Sequence, residues 1–108
     1  MEVKAEQKFL RISSRKVRTL ANKIKSLTPA LALTNLKFIQ KTGSAELFKV
    51  VRQAIANANT KKIKEENLKF KNIQVGSGTT LKRWRATSRG RGAKILKRTC
   101  HIKVILET

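Results

Sequence analysis

The chain has 108 residues, of which 40% are hydrophobic, enough to bury one modest core but too few to divide between two, so residues 1–108 are expected to form a single domain. Its 26 Lys and Arg stand against six acids, giving a formal net charge of +20, and self-repulsion at that density opposes compaction unless a polyanion neutralises it. Nucleic acid is the first candidate and an anionic membrane surface the second, while apolar stretches short and broken by charge exclude a membrane span or a signal peptide and fit a soluble intracellular protein.

In chain order, residues 3–10 are a weak strand candidate able to complete a small sheet. Ser13 and Ser14 can cap a helix whose Val17, Leu20, Ala21 and Ile24 fall on one face, with Arg15, Lys16, Arg18 and Lys23 pointing elsewhere. Thr28 followed by Pro29 starts a second helix, lined inwardly by Ala32, Leu33, Leu36 and Ile39. After Lys41-Thr42-Gly43, Ser44 is expected to cap the central packing helix, where Leu47, Val50, Val51, Ala54, Ile55 and Ala58 make an unbroken apolar stripe. Glu46 suits the first-turn dipole of that helix.

A polar connector over residues 61–67 separates this helical half from an extended one. Leu68 and Phe70 alternate with lysines, then Ile73 and Val75 continue on the other parity, which predicts a bulge near Asn72. Cys100, Ile102, Val104 and Leu106 give a clean alternating strand. The fold class is therefore α+β: three helices packed on a small antiparallel three-stranded sheet, with a long protruding β-hairpin. Cys100 has no second thiol for a disulfide or a zinc site and is expected to be a small buried apolar residue.

The hairpin is expected over about residues 76–99, where apolar alternation fades and nothing can pack on the core. Lys82, Arg83, Arg85, Arg89, Arg91, Lys94, Lys97 and Arg98 lie here, and no acid occurs between residues 67 and 106. The tip falls near Thr87 to Gly90, with Gly90 and Gly92 free to turn tightly. At about 3.3 Å per residue, a twelve-residue arm would reach roughly 40 Å. Such a ribbon is marginal alone in water and becomes reasonable when RNA packs on both sides. The guanidinium groups can fork onto phosphates and stack on exposed bases. Trp84 can stack on a base or fill a core position.

The segment RGRGAKILKRTCHIKVIL, residues 89–106, resembles the signature of the large-subunit ribosomal protein 22 family, supported by LKRW at residues 81–84, AIANA at 54–58 and SSRKVRTLANKI at 13–24. The resemblance runs nearly end to end. It implies a body on the outer surface of the large ribosomal subunit and a hairpin threading inward among ribosomal RNA domains. That hairpin would tie the domains together during assembly and line the peptide exit tunnel. Arg85, Ala86, Thr87, Ser88, Arg89, Gly90 and Arg91 would then lie closest to the nascent polypeptide, and Arg11, Arg15, Lys16 and Arg18 would give the body its own RNA contacts. The partners implied are large-subunit rRNA and neighbouring ribosomal proteins, with no metal, cofactor or small-molecule substrate. The place is the cytoplasmic ribosome of a bacterium or the ribosome of an organelle.

An enzyme fits poorly, because His101 is the sole histidine, the six acids are scattered, and no nucleophile meets a base. His101 has parity opposite to the core residues of its strand and is expected to be packed or solvent-facing. A free basic RNA-binding regulator outside the ribosome is the serious rival, though no helix-turn-helix, zinc finger or aromatic RNA-binding sheet is legible. A membrane-active peptide fits least, since the cations do not share one helix face opposite bulky apolar residues.

Overall fold

The computed structural model describes residues 2–86 and 88–108. Strand β1 (Glu2–Leu10) leads into helices α1 (Ser14–Ile24), α2 (Pro29–Phe38) and α3 (Ser44–Thr60). A short 3-10 turn, Glu65–Asn67, precedes β2 (Lys69–Ser77), β3 (Leu81–Ala86), β4 (Gly92–Lys97) and β5 (Cys100–Glu107). This is the α+β arrangement expected from the helical first half and extended second half.

The start of α2 follows local chemistry, and the other two need correction: Ser13 stands at the cap position of α1 but its side chain makes no capping hydrogen bond, and the Ser14 hydroxyl pairs instead with that of Ser77 at 3.0 Å. Thr28 is extended and its hydroxyl accepts from the Leu31 amide over a long 3.5 Å, with Pro29 in the first turn. Ser44 does not cap α3: the cap is Gly43, in a left-handed conformation at φ 96, and Ser44 is already helical. Its hydroxyl instead donates back to the Lys41 carbonyl at 2.8 Å, closing the turn that enters the helix.

The body sheet has the order β1-β5-β2, so β5 lies in the centre and pairs antiparallel with both neighbours. Cys100, Ile102, Val104 and Leu106 on β5 are fully buried, as their alternation requires. They meet Leu47, Val50, Val51, Ala54 and Ala58 of α3, Val17, Leu20 and Ile24 of α1, and Ala32 and Leu36 of α2 in one cluster. In β2 the register shifts between Phe70 and Asn72, so Lys71 is the extra residue and the inward parity changes there. Lys71 pairs with the Glu2 carboxylate, which lowers the pKa of Glu2 and raises that of Lys71.

Beyond Ser77 the chain leaves this sheet. Strands β3 and β4 form a separate two-stranded ribbon, Leu81 opposite Lys97 through Ala86 opposite Gly92. The molecule measures 62 by 24 by 17 Å, and its radius of gyration of 16.9 Å exceeds the roughly 13 Å of an equally long compact domain because of this arm.

Candidate nucleic-acid interface

The eight cations singled out on the arm are all exposed. Pairing places Lys82, Trp84 and Ala86 with Gly92, Lys94 and Leu96 on one face, and Leu81, Arg83 and Arg85 with Ala93, Ile95 and Lys97 on the other. Each face thus carries apolar side chains ringed by positive charge, and neither face belongs to the core cluster. Trp84 is 73% exposed, which favours the base-stacking role over the core role. Its ring lies near Gly92, where an added Cβ would sit 3.4 Å from Trp84 Cε3.

At the tip, Arg89 (φ 62, ψ 34) and Gly90 (φ 70) are consecutive left-handed residues that reverse the chain. That conformation costs a non-glycine residue about 1 kcal/mol, so Gly90 makes the reversal affordable while Arg89 keeps a guanidinium at its outermost point. Gly92, also expected to turn, is instead the first residue of β4. Thr87 lies outside the described residues.

The foot of the arm is held by contacts that periodicity did not foretell. The Gly78 amide donates to the Thr99 carbonyl at 2.9 Å, and the buried Thr99 hydroxyl donates to the Thr79 carbonyl at 2.7 Å. A Cβ on Gly78 would fall 2.4 Å from Thr99 Oγ1 and 3.0 Å from His101 Cε1, so only glycine fits. His101 is half-buried, as a packed histidine: Phe9 donates its amide to His101 Nδ1 at 3.1 Å and sets its ring edge-on at 4.9 Å.

On the body, Arg11, Arg15 and Lys16 are exposed at the start of α1. Arg18, grouped with them in the sequence, does structural work as well: its Nε and Nη2 donate to the Val75 carbonyl at 3.1 and 2.9 Å, tying α1 to β2. Replacing it by alanine is expected to cost about 1 kcal/mol, a fall of about 4–8 °C in melting temperature. Lysine at this position should not restore the loss, because one ammonium cannot reproduce the planar two-point contact; an unchanged melt for Arg18→Ala would show that the clamp contributes nothing. Lys41 and Thr42, not assigned from sequence, adjoin Lys16 around a hollow of about 400 Å³ between α1 and the turn into α3.

Nothing here assembles chemistry. Among the described residues no group of three His, Cys, Asp or Glu side chains is placed to hold a metal. Cys100 is buried, and burial raises its thiol pKa, which keeps it protonated and inert. No helix among the described residues is long and apolar enough to cross a membrane.

The family described as ribosomal protein L22p/L17e matches residues 5–107, from β1 through the arm to β5. The large ribosomal subunit protein uL22 of Desulfatibacillum aliphaticivorans is 43% identical over 107 residues, covering 99% of each chain. Its counterpart in Syntrophobacter fumaroxidans is 46% identical over 107 residues, covering 98% of this chain and 97% of its own. That of Desulfosudis oleivorans is 41% identical over 105 residues, covering 97% and 92%.

Proposed function

The chain belongs to the ribosomal protein L22p/L17e family, and from that footing we propose that it is a structural constituent of the large ribosomal subunit, bound to large-subunit rRNA and without catalytic activity. It works as one domain whose body sits on the RNA surface while the arm is enclosed by folded RNA. The observation that carries this reading is the arm itself: a two-stranded ribbon with no core on either face, eight exposed cations, and an exposed Trp84. Water offers such a ribbon little reason to stay extended, whereas packed RNA supplies phosphates for the guanidinium groups and bases for the indole.

In this reading Lys82, Arg83, Lys94, Lys97 and Arg98 hold the walls of the RNA cleft, bridging rRNA domains during assembly. Arg85, Ala86, Ser88, Arg89, Gly90 and Arg91 approach the exit tunnel and the nascent polypeptide. Arg11, Arg15, Lys16 and the remaining donors of Arg18 anchor the body, which also meets neighbouring ribosomal proteins. The bacterial relatives support a cytoplasmic ribosome as the place. The protein should sediment with large subunits at moderate salt and leave only under stringent washing. Recovery as a free protein, or on small subunits, would reject the reading in favour of a regulator acting outside the ribosome.

A further inference from the structure

Thr99 and His101 lie in the segment that carries the family resemblance, and neither is among the cations assigned to RNA. Both stand where the chain passes between body and arm. The crossing is uneven: four steps lead out from Ser77 to Leu81 and three lead back from Lys97 to Cys100, so one residue on the outgoing side has no counterpart and the ladder is interrupted. Such an interruption bends a ribbon and leaves few hydrogen bonds across the bend. The direction of everything beyond it depends on what holds these few residues.

Three consecutive residues of the outgoing strand are each held separately. The Ser77 hydroxyl pairs with that of Ser14 at the start of α1. The Gly78 amide donates to the Thr99 carbonyl, and a Cβ at Gly78 would fall 3.0 Å from Cε1 and 3.1 Å from Nε2 of His101, so the imidazole packs directly on the glycine. The Thr79 carbonyl accepts from the Thr99 hydroxyl. Thr99 thus grips two successive residues with two different groups, and among the described residues it and Ser44 are the buried polar side chains. On the body side His101 is itself fixed by Phe9, whose left-handed φ of 58 is a geometry that persists in a bulky residue only where the surroundings enforce it.

We propose that Thr99, Gly78 and His101 are positioning residues that latch the foot, so that the arm leaves the body in one direction and its cations reach RNA already aimed. The inference rests on the ribosomal reading above, in which RNA keeps the ribbon extended; the latch decides where the ribbon points. At about 3.3 Å per residue, the stretch from Thr79 to Ala86 spans roughly 23 Å, so a swing of about 10° at the foot moves its far end by roughly 4 Å, more than the length of a hydrogen bond. An arm free to swing loses that freedom on binding, which lowers affinity. None of the latch contacts is an ion pair, so this effect is separate from counterion release.

The test uses the full chain and purified bacterial large-subunit rRNA. Thr99→Val keeps the β-branched shape and removes the hydroxyl, whereas Thr99→Ser keeps the hydroxyl. Thr99→Val should bind rRNA roughly three- to tenfold more weakly with the log–log salt slope unchanged, because no phosphate contact is removed, and Thr99→Ser should bind as the wild type does. Gly78→Ala, whose Cβ would collide with Thr99 Oγ1, should match Thr99→Val. Spin labels at Ala56→Cys and Ala93→Cys, both exposed positions, read the angle in the free chain while the buried Cys100 stays unlabelled. Their distance distribution should widen with Thr99→Val and not with Thr99→Ser. Unchanged affinity or an unwidened distribution overturns the proposal. A reduced salt slope would show that a phosphate contact was lost and not an angle, and a melt lowered by more than about 10 °C would make Thr99 a support of the body; either overturns it as well. A flat salt slope for the wild-type chain would defeat the ribosomal reading itself; failure of the latch alone leaves that slope steep.

Discussion

Replacing residues 80–97 by Asn-Gly, which joins Thr79 to Arg98 through a two-residue turn, is expected to leave the body melting within about 3 °C of the intact chain while largely abolishing tight rRNA binding. Both halves of that expectation follow from the fold. Among the described residues, β3 and β4 pair only with each other, and none of residues 80–97 belongs to the core cluster. The excision keeps Gly78, Thr79 and Thr99, whose hydrogen bonds close the foot, and Asn-Gly suits the mirror-image turn that a tight hairpin needs.

The excision removes Lys82, Arg83, Arg85, Arg89, Arg91, Lys94 and Lys97. At about 0.7 per phosphate contact, the log–log salt slope should fall by up to roughly 5. Thermal melts and a salt titration on purified rRNA check the two parts separately. A body that unfolds without the arm would show that the arm belongs to the core. A slope that barely moves would show that the arm does not hold phosphates.

The second large effect is the mirror image of the first. Leu47→Ala should cost about 2–5 kcal/mol, because Leu47 is fully buried in the α3 stripe and its neighbours can only partly close the cavity. A domain of this size has a total stability of about 5–15 kcal/mol, and a net charge of +20 works against it, so the free variant should melt at least about 10 °C lower. Its cations are untouched. Once bound, the RNA that grips the folded form stabilises it by mass action, and the variant should still enter large subunits at saturating rRNA. A free variant with an unchanged melt would remove Leu47 from the centre of the core.

The two substitutions divide the molecule as the sequence divides it. The stripes on α1 and α3 and the alternation of β5 were legible because a buried face repeats with the period of its backbone. Even the bulge at Lys71 could be read, since an extra residue switches the parity from Phe70 to Ile73. The exposed cations of the arm were legible by the reverse logic, as a stretch with no face to bury.

What stayed hidden has a common cause. The contact between Phe9 and His101 spans 92 positions, and the grip of Arg18 on the Val75 carbonyl spans 57. Periodicity tells which way a side chain faces, never which distant carbonyl it will find there. Gly43 as the true cap of α3 was missed because Ser44 beside it is the stronger cap by residue type, and the left-handed φ of 96 at position 43, with the turn packed close against Val17, selects the glycine.

The position of β5 has a consequence for how the body comes into being. Strands β1 and β2 each pair with β5 and not with one another, so the sheet has no partial form that the earlier residues could build by themselves. During vectorial synthesis, residues 14–60 can coil into their helices and residues 81–97 can pair as the ribbon, but the two outer strands of the body wait for their shared partner. Cooperative collapse therefore begins only when residues 100–107 emerge, and it must close the whole intervening loop at once, a slow step of high contact order. Until then the chain is a cationic polymer whose body has no sheet, and any stray RNA within reach competes for it before its proper site can.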